Sequence, residues 1–223
     1  MRNIKLKSSL YLLLGLSAIS FFALIWILKI QEINFINSIK LIPKVVSIDL
    51  LIVAAFSTFL WKWKIFKGWL VPFPNMNGTW KGFIQTTWID PLTNQRPASI
   101  PAILTIRQSF FKISCVMRTA EMTSRSLIAD FVVDEDNQVK RLSYTYDSNP
   151  IATVKDRSPQ HFGTMLFDII EKPERKIEGE YWTGRKTTGS IEMSFWKKEK
   201  IDYYPKDLGA HPVSELREQW SNL

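Results

Sequence analysis

Apolar positions follow two regimes along the chain. From Leu10 to Leu28 (LYLLLGLSAISFFALIWIL) no charge interrupts about 19 residues, enough for one helix to cross a bilayer core. Val45–Trp61 (VVSIDLLIVAAFSTFLW) is a second apolar run of about 17 residues, broken only by Asp49. From Trp80 onward long runs give way to period-two alternation. In WKGFIQTTW, Trp80, Gly82, Ile84, Thr86 and Trp88 share one face. Similar short runs follow at Ala102–Gln108, Lys112–Thr119, Ser124–Val133, Val139–Tyr146, His161–Ile170, Lys176–Thr183 and Thr188–Trp196. Turn residues stand between them at Asp90-Pro91, Asp134–Asn137, Asp147–Pro150, Lys172-Pro173 and Gly184–Thr187. Eight strands with no intervening helical period predict an antiparallel meander. Closing it into a barrel removes the exposed edges and leaves room for one small ligand. The expected fold is therefore an all-β head, an eight-stranded antiparallel up-and-down β-barrel, behind two N-terminal transmembrane helices. A two-sheet sandwich is the alternative. Residues 1–69 read as a two-helix hairpin, 70–200 as the barrel and 201–223 as a tail, with Val213–Trp220 a short amphipathic helix.

The opening Asn77-Gly78-Thr79-Trp80 resembles the entrance of lipocalins and fatty-acid-binding proteins, where an indole plugs the barrel floor. Read without that resemblance, Trp80 is a large core residue after a turn.

Charge changes the picture mainly by its location. Residues 1–69 hold nine of the 29 Lys/Arg but only two of the 21 acids, Glu32 and Asp49, so almost all of the net +8 flanks the apolar runs. The head is nearly neutral and lacks the basic surface that binding to DNA or RNA requires. Arg2, Lys5 and Lys7 precede the first run, and Lys62, Lys64 and Lys67 follow the second. That arrangement favours an in–out–in hairpin with the head in the cytoplasm. Trp61, Trp63 and Trp69 read as interfacial anchors. The single cysteine, Cys115, excludes an intramolecular disulfide framework and suits a reducing compartment. The first run is longer than a signal-peptide core and reads as an uncleaved anchor. Asp49 sits near the start of its run, at the interface or in a polar contact between helices.

Catalytic patterns are sparse. The two histidines, His161 and His211, form no metal-ligand spacing with Cys115, and no phosphate-cradling loop or nucleophile elbow occurs. A non-enzyme without cofactor is expected. Binding residues are better supplied. Gly179–Gly189 (GEYWTGRKTTG) gathers Tyr181, Thr183 and Arg185 around a hairpin, Tyr144 and Tyr146 share one face, and Arg118, Thr119, Thr123, Ser124 and Arg125 surround another hairpin. Aromatic faces stack bases, and arginine forks and hydroxyls hold phosphate and ribose. The same residues also suit ordinary strands and solvated turns.

Two apolar spans followed by Pro72–Gly82 (PFPNMNGTWKG), Tyr144–Pro150 (YTYDSNP) and Gly179–Gly189 with Ile191 resemble the SMODS-associating two-transmembrane, β-strand-rich effector family. The likeness spans residues 5–200. It implies a CD-NTase-associated membrane effector of a CBASS anti-phage system. In such systems a nucleotidyltransferase (CD-NTase) answers infection with a cyclic oligonucleotide, here expected to be a cyclic dinucleotide. The barrel binds this second messenger, the spans self-associate in the inner membrane, and the infected cell dies. Arg118, Arg125, Tyr144, Tyr146, Tyr181, Thr183 and Arg185 are the candidate ligand contacts on this reading. The competing reading is a membrane-anchored lipocalin-like lipid binder or scaffold.

Overall fold

A computed structural model describes residues 6–32, 34–134 and 136–221. Arg2, Lys5 and the turn residue Glu135 lie outside the described residues. The chain forms two compact units, one of residues 1–74 with 109–111, the other of 75–108 with 112–223.

The first unit is a helical hairpin. Helix α1 covers Leu6–Ile27 and α2 covers Phe35–Thr58, the latter opened by Asn34, whose side chain accepts the Asn37 amide at 2.8 Å. Among the described residues α1, over Ser9–Ile27, is the one helix long and apolar enough to cross a membrane. The second apolar run is placed differently from the sequence expectation. Its helix starts ten residues earlier, takes in Lys40, Pro43 and Lys44, and ends at Thr58, so its composition is diluted by charge. Asp49 makes a polar contact with α1, accepting hydrogen bonds from Ser17 Oγ at 2.5 Å and Ser20 Oγ at 2.8 Å. Trp61 is buried within this unit beside Phe73, with ring centroids 5.9 Å apart, whereas Trp63 and Trp69 are exposed.

The second unit is a closed barrel in strand order, β1 pairing both β2 and β8. Its strands are β1 Gly78–Thr86, β2 Ile100–Gln108, β3 Ile113–Arg118, β4 Met122–Asp134, β5 Val139–Pro150, β6 His161–Ile170, β7 Lys176–Thr183 and β8 Thr188–Lys197. The eight alternating runs are all strands, and closure excludes the sandwich. The turn expected at Asp147–Pro150 is instead the end of β5, and the chain reverses after it through a short helical turn at Ala152–Val154. A short helix, α3, spans Pro212–Ser221.

One end of the lumen is filled. Trp80 is 1% exposed, donates its indole N–H to the Met76 carbonyl at 3.0 Å and packs edge-on against Phe195. The Arg175 guanidinium lies over both rings. Above this floor Leu104, Ile106, Cys115, Leu142, Phe167, Ile177, Ile191 and Met193 are all buried. Burying such side chains contributes roughly 1.5–3 kcal/mol each against conformational entropy.

Candidate ligand site at the barrel mouth

The opposite end of the same lumen is open. A cavity of about 270 Å³ lies where β1, β3, β5 and β7 end and β2, β4, β6 and β8 begin. That volume is just under the roughly 300–1,000 Å³ typical of small-molecule sites.

Strand register decides which candidates reach it. Inward positions on β5 carry Tyr144 and Tyr146, and on β7 Tyr181 and Thr183, with Trp182 exposed on the other face. Tyr146, Tyr181, Thr183 and Arg185 line the cavity. Tyr144 sits one step deeper, fully buried, its hydroxyl 2.8 Å from Met165 Sδ and its ring beside Phe167. Arg118 and Arg125 are not in the lining. Inward positions on β3 belong to Ile113, Cys115 and Met117, so Arg118 alternates to the outer face. There Arg125, Arg107 and Asp202 are its charged neighbours. From the same hairpin Thr119 and Ser124 do reach the cavity, and Ser124 Oγ shares a 2.8 Å hydrogen bond with Ser148 Oγ.

Two glycines make room for the tyrosines. A Cβ at Gly163 would collide with the Tyr146 ring and hydroxyl, and one at Gly189 with the Tyr181 ring. Burial pushes both tyrosine hydroxyls up from their ordinary value, so they remain protonated donors near neutrality.

The β7–β8 turn fixes Arg185. Thr183 Oγ1 accepts the Arg185 amide at 3.2 Å and the Thr187 amide at 3.3 Å, and the two threonine hydroxyls meet at 2.7 Å. From this turn the Arg185 guanidinium donates from Nη1 to Ser158 Oγ at 2.9 Å. Its Nε is buried without a hydrogen-bond partner, and no carboxylate pairs with it among the described residues. Burial lowers its pKa, but guanidinium stays charged in proteins. A half-buried cation with an orphaned donor, in the electrostatic reach of Tyr146 and Tyr181, is complementary to an anion with flat, stackable groups.

Several lining residues carried no local sequence signal. Both histidines belong to the cavity wall. His161 donates through Nδ1 to the Pro159 carbonyl at 3.1 Å, and burial lowers its pKa. Glu121, on the β3–β4 turn, forms an ion pair with Arg157 Nη2 at 2.5 Å across 36 residues of sequence. Only the fold brings these two together.

The family model described as Cap15, cyclic dinucleotide receptor domain, matches residues 71–195, more than half of the chain. The chain belongs to the Cap15 family. CD-NTase-associated protein 15 of Staphylococcus schleiferi is 27% identical over 158 residues, covering 71% of this chain and 80% of that protein. Cap15 is thus the CBASS effector type that the two apolar runs and three sequence stretches resemble. The Cap15 match covers the whole barrel except the last residues of β8.

Proposed function

We propose that this chain is a non-catalytic, membrane-anchored CBASS effector whose barrel mouth binds a cyclic dinucleotide made by a CD-NTase. Arg185 is the observation that carries the reading. It is a half-buried cation without a carboxylate partner, inside the domain whose family is described as a cyclic dinucleotide receptor. In the proposed complex Tyr146 and Tyr181 stack on or flank the bases, Arg185 takes a phosphodiester, and Thr183 holds the turn that presents it. Tyr144 supports Tyr146 from below, and Arg118 and Arg125 lie too far out to join.

α1 and α2 are the proposed spans in the inner membrane, with the barrel in the cytoplasm. The hydrogen bonds from Ser17 and Ser20 satisfy the Asp49 carboxylate, as a polar group within a bilayer needs. Lys40 and Lys44, in the first half of α2, would extend their ammonium groups toward a headgroup region. Ligand binding favours assembly of the heads, which raises the effective concentration of the tethered spans, and the assembled spans disrupt the membrane. A lipid-binding role has less support, because Trp80, Leu104, Phe167 and Met193 occupy the depth an acyl chain would need.

The test is a thermal-shift titration of the full chain in detergent against cyclic dinucleotides, cyclic trinucleotides and fatty acids. Selective stabilisation by one cyclic dinucleotide is expected, growing to about 2.7 kcal/mol at a hundredfold excess over Kd. Stabilisation by fatty acids alone would overturn the reading.

A further inference from the structure

The cavity holds a second guanidinium, and its environment is unlike that of Arg185. Arg157 stands on the turn after β5, where the Ser158 amide donates to the Val154 carbonyl at 2.8 Å. It precedes Ser158, the hydroxyl that Arg185 grips, so both arginines converge on one short segment of the rim. Arg157, however, is neutralised. Its side chain is 17% exposed and pairs with Glu121, 7% exposed, at 2.5 Å.

Glu121 is also the anchor of the C-terminal segment. Oε1 accepts the Ser214 hydroxyl, and Ser214 Oγ lies 2.9 Å from Arg157 Nη2. His211 Nδ1 stands 3.5 Å from Oε2 and accepts the Val213 amide at 3.3 Å, which fits a neutral imidazole. Val213, 2% exposed, and His211 form part of the cavity wall. One turn further along α3, Arg217 reaches the buried Asp90 carboxylate of the β1–β2 connection at 3.4 Å. Two buried acids on two rim loops therefore hold α3 against the mouth.

A cyclic dinucleotide carries two phosphodiesters. Among the side chains lining the mouth one guanidinium, Arg185, is uncompensated, and the cavity of about 270 Å³ that His211 and Val213 help to wall is below the size typical of small-molecule sites. Resting on the receptor reading above, we propose that Arg157 is the second phosphate contact of the mouth, kept neutralised by Glu121 until α3 gives way. Entry of the ligand displaces His211 and Val213 and breaks the Ser214–Glu121 hydrogen bond. Arg157 then exchanges a carboxylate for a phosphate of equal charge, and Glu121 turns to the water that the departing wall admits. A guanidinium suits this exchange because its fork fits carboxylate and phosphate alike.

The experiment measures affinity of the full chain in detergent for 3′,3′-cyclic dinucleotides covering every pair of bases. Glu121→Gln frees Arg157 and loosens the latch, and is expected to tighten binding several-fold. Arg217→Ala, outside the cavity lining, loosens only the distal clamp and should tighten binding about 2–5-fold. Arg157→Ala alone leaves a buried carboxylate unpaired and risks the fold. The double variant Glu121→Gln/Arg157→Met avoids that charge, and should keep the melting temperature while weakening binding about tenfold or more. Hydrogen exchange of 211–217 should rise when ligand binds. Wild-type binding with the same affinity in all three variants would overturn this inference and leave the receptor reading standing. No binding by wild type or any variant would overturn both.

Discussion

Toward the floor of the barrel, inward positions of the eight strands carry Trp80, Leu104, Leu142, Phe167, Ile177 and Met193, and the lumen is filled. Toward the mouth, inward positions of β1, β4, β5 and β7 present Thr86, Ser124, Tyr146, Ser148, Tyr181 and Thr183 around an open cavity. Backbone geometry is common to both halves, so side-chain choice alone divides a core from a site. The floor removes apolar area from water and supplies stability. The mouth gives some of it up, holding Arg185 half-buried with an orphaned Nε and a space unfilled. Substitutions in the two halves should accordingly separate stability from binding.

The largest effect is expected at the floor. Trp80→Ala removes an indole packed against Phe195 and Arg175 and should cost about 3–5 kcal/mol of stability, read as a fall of roughly ten degrees in a thermal melt. Ligand binding at low temperature should change little, since Trp80 does not line the cavity. Next is Arg185→Ala, which should weaken cyclic dinucleotide binding by about 2 kcal/mol, near thirtyfold in a titration. Its melting temperature should hold or rise, because the variant removes a half-buried, partly unsatisfied cation. If Arg185→Ala melted early while binding normally, the division between halves would fail. Gly163→Ala sharpens the same boundary. Its Cβ would strike the Tyr146 ring, so about 1–3 kcal/mol of strain is expected together with weaker binding.

How much of this was legible in the chain follows from what each feature depends on. Strand number and inward faces rest on local alternation, and β6 and β7 begin and end where the pattern places them. The β5 end was harder: Asp147, Ser148, Asn149 and Pro150 have turn chemistry, but pairing with β4 holds them in a strand. Tyr146, Tyr181, Thr183 and Arg185 were readable as types near turns. Sequence alone could not separate them from Arg118 and Arg125, which one residue of register turns outward. Tyr144 and Tyr146 share a face, and only depth along the lumen divides them. Glu121 and Arg157, 36 residues apart, had no shared motif to betray them. The hairpin shows the opposite limit. Hydropathy locates α1 well, but the helix of α2 continues through Lys40 and Lys44 because helical geometry tolerates charges that a hydropathy reading treats as boundaries.

The smallest expected effect concerns pH and again divides mouth from floor. Both histidines of the chain line the cavity, and burial lowers the pKa of each from the ordinary value of 6.5. For His161, the Pro159 carbonyl and Asp147 oppose burial while Arg185 adds to it. For His211, Glu121 opposes burial while Arg157 adds to it. In each case the folded state binds its proton later than the unfolded chain does. The stability this supplies is complete above about pH 6.5 and declines as pH falls from there through the folded values. Hydrogen exchange at pH 7.5 and 5.5, corrected for intrinsic rates, should show lost protection at 159–163 and 211–217, with floor positions 102–106 and 191–193 unchanged. His211→Gln should abolish the change at 211–217 and leave that near His161 in place. Equal acid sensitivity at floor and mouth would mean that something other than these two imidazoles sets it, since the floor has no histidine to titrate.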